Sequence, residues 1–152
     1  MWTEITFGKH AGKTLPQLLL NDPDYFFWAV EKKDVFKGSL ATQAASLLAR
    51  ARRVKIPKPN PDDWRVEYVC APDGKFAHFE VVEADRPRHI GSSLTIRGTT
   101  LDFSLVRGTR HYDKSGYKLF LRNFKYYYFG SAEKRLTRKL CEEFFDKPSN
   151  FV

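Results

Sequence analysis

The sequence predicts an α+β protein. A mostly helical N-terminal module opens with a short β turn, and an antiparallel β-sheet with one packed C-terminal helix follows. Three observations lead there. Apolar residues before residue 55 recur at helical spacing, prolines at 57, 59 and 61 interrupt the pattern, and beyond them apolar and polar residues alternate with period two. The 152 residues are 42% hydrophobic and 15% aromatic, so the chain does not lack core-forming side chains. The same breaks divide it into a helical module (1–55), a Pro-rich linker (56–61) and a sheet-plus-helix domain (62–152).

Each element has a local reason. Leu15 to Leu20 read as a short helix with Thr14 in the cap position and Pro16 in the first turn, where backbone donors lack partners anyway. Asp22-Pro23 starts a second helix in the same way. Tyr25, Trp28 and Ala29 fall at helical spacing and are expected in the core, while Phe26 and Phe27 extend the apolar surface. From about Ser39 to Arg53 a third helix carries Leu40, Ala44, Leu47, Leu48 and Ala51 on one side. Arg50, Arg52 and Arg53 gather at its end, where the helix dipole favours cations. The prolines that follow exclude helix and central strand, leaving a stiff, extended connector.

Past the linker, Arg65–Cys70 and Phe76–Val82 alternate around the turn Ala71-Pro72-Asp73-Gly74 and predict a hairpin. Ser93–Arg97 and Thr100–Val106 around Gly98-Thr99 predict a second. A third is expected from Arg107–Arg110 through Asp113–Gly116 into Tyr117–Leu121, with Phe124–Phe129 as a further strand. Ser131 then caps a closing helix with Glu133 in its first turn and an apolar stripe of Leu136, Leu140, Phe144 and Phe145.

Charge directs attention to polyanions. Twenty-six Lys and Arg against eighteen Asp and Glu give +8. No apolar run approaches the roughly 20 residues of a membrane helix, and the opening Met-Trp-Thr-Glu lacks a signal peptide's basic start and apolar stretch. Cys70 and Cys141 alone supply neither a disulfide framework nor a four-cysteine zinc site. The expectation is a cytoplasmic protein without a membrane partner.

The most informative stretch is Phe7-Gly8-Lys9-His10-Ala11-Gly12-Lys13-Thr14-Leu15, followed by Asp22-Pro23-Asp24-Tyr25-Phe26-Phe27-Trp28. Gly8 and Gly12 bracket a turn projecting Lys9, His10 and Lys13, and Thr14 opens a helix whose free N–H groups favour an anion. Two readings stand side by side: a phosphate-holding turn, or a solvated one. The glycine spacing is too short for a Walker loop. At these residues the chain resembles the module appended to the C-terminus of exonuclease X-type DnaQ-family exonucleases, related to a quorum-sensing-regulated virulence factor family. Phe7, Gly8, Lys9, His10, Gly12, Lys13, Thr14, Leu15, Asp22, Pro23, Tyr25 and Trp28 carry the match, which covers roughly residues 4–53. The resemblance implies a small α+β module that accompanies nucleic-acid enzymes and binds DNA or RNA. In those exonucleases the module follows a catalytic domain. Here it opens the chain, and the metal-holding carboxylates of the exonucleases are carried over to no position.

The candidate phosphate contacts before residue 61 are Lys9, His10, Lys13, Arg50, Arg52, Arg53, Lys55 and Lys58. Beyond it they are Arg107, Arg110, His111, Lys114, Lys118, Arg122 and Lys125, interleaved with Tyr112, Tyr117, Phe120, Phe124, Tyr126, Tyr127 and Tyr128. Cations beside ring faces suit single-stranded nucleic acid, and Phe27, Tyr112, Tyr126 and Tyr128 are the stacking candidates. A half-buried strand with its polar residues outward has the same pattern.

Catalytic signatures do not emerge. His10, His78, His89 and His111 lack metal-ligand spacing, the cysteines form no CxxC, and neither a Gly-x-Ser-x-Gly elbow nor a dinucleotide fingerprint occurs. Asp62, Asp63, Glu80, Glu83 and Asp85 would have to converge to serve a metal nuclease, and Asp73-Gly74-Lys75 faintly echoes half of a nuclease motif from within a turn. The expected function is a non-catalytic nucleic-acid-binding protein or accessory subunit of bacterial or phage type, using no cofactor or metal. The alternatives are an adaptor or phage-encoded inhibitor binding a protein partner and, more weakly, a metal-dependent nuclease.

Overall fold

A computed structural model of the chain describes residues 1–91, 93–110 and 113–152. The class is α+β, with five helices and two small antiparallel sheets, 44% helical and 17% strand. The helices are α1 (Leu15–Asn21), α2 (Pro23–Glu31), α3 (Ser39–Ala51), α4 (Lys114–Phe129) and α5 (Arg138–Asp146). The strands are β1 (Val54–Lys55), β2 (Trp64–Cys70), β3 (Phe76–Glu83), β4 (Leu94–Gly98) and β5 (Thr100–Leu101). One sheet has the order β3-β2-β4, and the other pairs β1 with β5.

The N-terminal half follows its local signals. The Asp22 carboxylate accepts the Tyr25 N–H and caps α2. Thr14 precedes α1 as expected, but its hydroxyl donates to Glu142 of α5 at 2.7 Å instead of closing the helix end. The opening turn is closed like a hairpin: Ile5 N–H donates to Lys13 O and Gly12 N–H to Ile5 O, at 2.8 and 2.7 Å. Gly8 and Gly12 both take positive φ there, which side chains with a Cβ rarely adopt.

Four expectations for the C-terminal half are corrected. Ser93–Arg97 and Thr100–Val106 are not a hairpin. β4 pairs with β2 whereas β5 pairs with β1, so the chain changes sheets at Thr99. Tyr68 pins that crossing, its hydroxyl donating to Thr100 O and accepting the Asp102 N–H. The expected strands over Tyr117–Leu121 and Phe124–Phe129 are one 16-residue helix, α4. Its buried Tyr117, Phe120, Leu121 and Phe124 recur at i, i+3, i+4 and i+7. Asp113 caps it through the Gly116 N–H, and Gly130 ends it at φ 84°. Ser131 is not the cap of the closing helix: its hydroxyl accepts the Glu133 N–H in a turn, and α5 begins at Arg138 with Thr137 as cap.

The segment 56–61 does not separate the chain into independent cores. Ile56 is buried, and one continuous cluster runs from Leu15, Leu19 and Phe26 through Tyr68 and Phe79 to Phe120, Phe124 and Phe145. α4 lies on the sheet, with Phe120 against Phe76 and Phe79 at centroid distances of 5.8 and 5.0 Å. It also occupies the outer edge of β3, where the Asn123 carboxamide oxygen accepts the Phe79 N–H. No helix among the described residues is long and apolar enough to cross a membrane.

Candidate functional site

The turn between Ile5 and Thr14 delivers its three polar side chains very differently. His10 is only 6% exposed. Its Nδ1 lies 3.1 Å from Lys13 Nζ, a group that can only donate, so Nδ1 accepts and Nε2–H donates to Asp22 Oδ2, also at 3.1 Å. Both ring nitrogens are thereby used, and His10 orients Lys13 instead of facing solvent as a phosphate ligand. Burial, then the neighbouring Lys13 charge, hold its pKa below the usual 6.5 against the pull of Asp22. Lys9 reaches outward, 3.8 Å from Asp22 and 5.5 Å over the Tyr25 ring.

A pH dependence of stability follows. A histidine with a depressed folded-state pKa binds more protons when unfolded, so its contribution is complete above pH 6.5 and declines as pH falls toward the folded value. Urea midpoints should rise between pH 5 and pH 7 in the wild type, and His10→Gln should flatten that rise. Parallel pH profiles for the two proteins would contradict the relay.

At the end of α3 the arginines divide. Arg50 donates to Phe145 O at 2.8 Å and Arg53 to Val152 O, tying the C-terminal segment to α3, while Arg52 and Lys55 are exposed. Beside them runs an open groove of about 550 Å³ between the 55–59 segment and the end of α5. Lys55, Lys58 and Lys147 line it, Tyr128, Phe129 and Phe144 contribute rings, and Glu143 is the carboxylate among its lining residues. Lys58 Nζ also lies 4.3 Å from the centroid of the Trp64 ring. Lys147 has no signal in the sequence, because a lone lysine after a helix of mixed charge carries no pattern.

The cations expected along strands sit elsewhere. Arg107 follows β5 and is clamped by Glu31 at 2.9 and 3.0 Å and by Asp24 at 3.1 Å, which corrects its reading as a phosphate contact. Arg122 pairs with Glu133 at 2.8 Å. Arg110 is exposed, its aliphatic stem packed against Gly74. Lys118 and Lys125 lie on α4, where residues 118, 122 and 125 share a stripe to one side of the buried face.

The stacking candidates fare unevenly. Phe27 is buried and lies parallel to Tyr117 at 5.6 Å, so it is core and presents no face to a base. Tyr128 is half-buried, stacked on Phe124, and donates its hydroxyl to Lys55 O. Tyr126 is 59% exposed. Tyr112 and His111 lie outside the described residues. Trp28, expected in the core, is 40% exposed, and with Phe7 and Tyr25 it lines a shallow cleft that also holds Lys37. The cue was available: α2 is apolar almost all round, so one ring had to face outward.

The carboxylates only partly converge. Asp62, Asp63, Glu83 and Asp85 border one hollow, whereas Glu80 pairs with Arg86 at 3.8 Å. Among the described residues no group of three His, Cys, Asp or Glu side chains is arranged to hold a metal. Asp73-Gly74-Lys75 forms the β2–β3 turn, with Lys75 paired to Asp113 at 3.0 Å. Both cysteines are buried thiols, and burial pushes Cys141 up to about 12, away from the reactive thiolate. Comparison of the chain with protein-family models, curated proteins and solved structures gives no match.

Proposed function

We propose that the protein binds nucleic acid without catalysis, through the groove between the 55–59 segment and α5. The observation that carries this reading is the set of Lys55, Lys58 and Lys147 around one open channel, with half-buried rings of Tyr128 and Phe129 in its wall. None of the three lysines pairs with a carboxylate among the described residues, so their charge is available to phosphates. Arg52, exposed just before β1, extends the positive surface. Cations following a backbone beside accessible ring faces are the physical requirement for a single strand, DNA or RNA. The resemblance of residues 4–53 to a module accompanying exonucleases points to the same ligand class, but the reading rests on the groove.

The test is a fluorescence-anisotropy titration of labelled single-stranded DNA, duplex DNA and RNA. The variant combines Lys55→Gln and Lys147→Gln, both exposed, with Lys58→Gln, half-buried beside Trp64. We expect tighter binding to single strands than to duplex, and at least about tenfold weaker binding by the variant with unchanged melting. Equal affinities for variant and wild type would remove the groove from the mechanism.

One observation favours a second reading, a protein-binding adaptor. β4 is an end strand of its sheet and carries Leu94, 63% exposed, and Ile96, 41% exposed, beside a cavity of about 530 Å³. A stoichiometric protein partner that survives nuclease treatment and is lost on Ile96→Lys would support that reading over the first.

A further inference from the structure

The structure assigns a second anion site, separate from the groove. We propose that the cavity between the Lys13 turn and the start of α4 binds a phosphate dianion, free or as a phosphomonoester. The cavity measures about 320 Å³ and brings Lys13 together with Lys114 and Lys118, side chains more than a hundred positions apart in sequence. None of these lysines pairs with a carboxylate among the described residues. The two carboxylates in the lining are committed elsewhere: Asp22 to His10, Lys9 and the α2 cap, and Asp24 to Arg107.

What separates this pocket from an ordinary group of surface lysines is the relay behind Lys13. Burying an imidazole is costly unless its nitrogens are bonded. Here that polar chain, Asp22 to His10 to Lys13, ends on an ammonium at the cavity wall. Lys13 uses one N–H on His10 Nδ1, which fixes its position and leaves two donors for a ligand. Lys114 and Lys118 are one turn apart on α4, so both can address the same ligand from the opposite side. Three lysines lining a small cavity suit a compact dianion better than a monoanionic diester, whose second substituent needs an exit. The inference uses only this pocket and does not depend on nucleic acid binding in the groove.

The probe is inorganic phosphate, followed through amide NMR shifts against chloride at equal ionic strength. Shifts centred on residues 10–13 and 114–118 are expected. Lys114→Gln with Lys118→Gln, both exposed, should weaken the affinity by about tenfold or more. Adenosine monophosphate and matched 5′-phosphorylated and 5′-hydroxyl oligonucleotides identify the source. A site for nucleic-acid ends prefers the phosphorylated oligonucleotide, whereas a small-molecule site takes phosphate and the mononucleotide alone. Either pattern upholds the pocket. Shifts no larger than those from chloride, or an affinity untouched by the double variant, would overturn it. Loss of oligonucleotide binding in the groove variant with phosphate binding intact would separate the two sites.

Discussion

Glu67→Ala should destabilise the protein by about 3–5 kcal/mol, because it leaves a charge in the sheet without its counter-ion. Glu67 is 1% exposed in the middle of β2, and its Oε2 accepts from Arg97 Nε on β4 at 2.7 Å. Arg97 is itself largely covered, and its Nη2 has no hydrogen-bond partner among the described residues, so the Glu67 carboxylate is its one recorded counter-charge there. Register adds a second difficulty. Glu67 faces Glu80 on β3, and the adjacent carboxylates are tolerable because Arg97 flanks one and Arg86 the other. Removing both partners of the buried pair is a different experiment. Glu67→Leu combined with Arg97→Leu should be far milder than Glu67→Ala, since a buried ion pair is costly to desolvate even when well made. Chemical denaturation of the three proteins measures the difference, and a Glu67→Ala variant as stable as wild type would contradict it.

Phe124→Ala should cost a similar amount, about 3–5 kcal/mol, for an unrelated reason. Phe124 is fully buried where three segments of the chain meet. Its ring lies 5.0 Å from Phe103 after β5, 4.8 Å from Tyr128 on α4 and 5.4 Å from Phe144 on α5, measured between centroids. Truncation removes the ring from all three and leaves a cavity that rigid aromatic neighbours cannot fill. Phe124→Leu should recover some of the loss. Because Tyr128 stacks on Phe124 and lines the proposed groove, the Ala variant should also loosen the groove wall, seen as faster amide exchange in 55–59 and α5. A variant with wild-type stability would mean that the Phe124 ring does not anchor α4 to Phe103 and α5.

α4 also shows where sequence reasoning reached its limit. Tyr126-Tyr127-Tyr128-Phe129 is a run of residues that favour strands, and Gly116 lies inside the segment. Tertiary packing overrode that preference, since only a helix brings Tyr117, Phe120, Leu121 and Phe124 onto one face against Phe79 and Phe103. The signals for helix were present in Asp113, placed to cap, and in Gly130, placed to end it. The first two helices were readable because Pro16, Asp22 and Pro23 punctuate them, the third because Leu40, Ala44, Leu47 and Ala51 share one face, and the β2–β3 hairpin because its strands flank the turn at Asp73-Gly74. The crossing from β4 to β5 was hidden, as a two-residue strand leaves no periodicity and its partner lies at residues 54–55.

At the candidate sites, charge was legible but pairing was not. Nothing local tells that Arg107 meets Glu31, 76 positions earlier, or that His10 spends both ring nitrogens on Lys13 and Asp22. Lys147 entered only through the fold, and Trp28 emerged at the surface because its neighbours on α2 filled the core.

The most direct measurement is the salt dependence of single-stranded DNA binding, plotted as log affinity against log salt. A strand held by phosphate contacts gives a steep negative slope, and removing the Lys55, Lys58 and Lys147 charges should reduce it by about 2–3. A flat plot, or the same slope with and without those lysines, would contradict the proposal that this groove meets a polyanion.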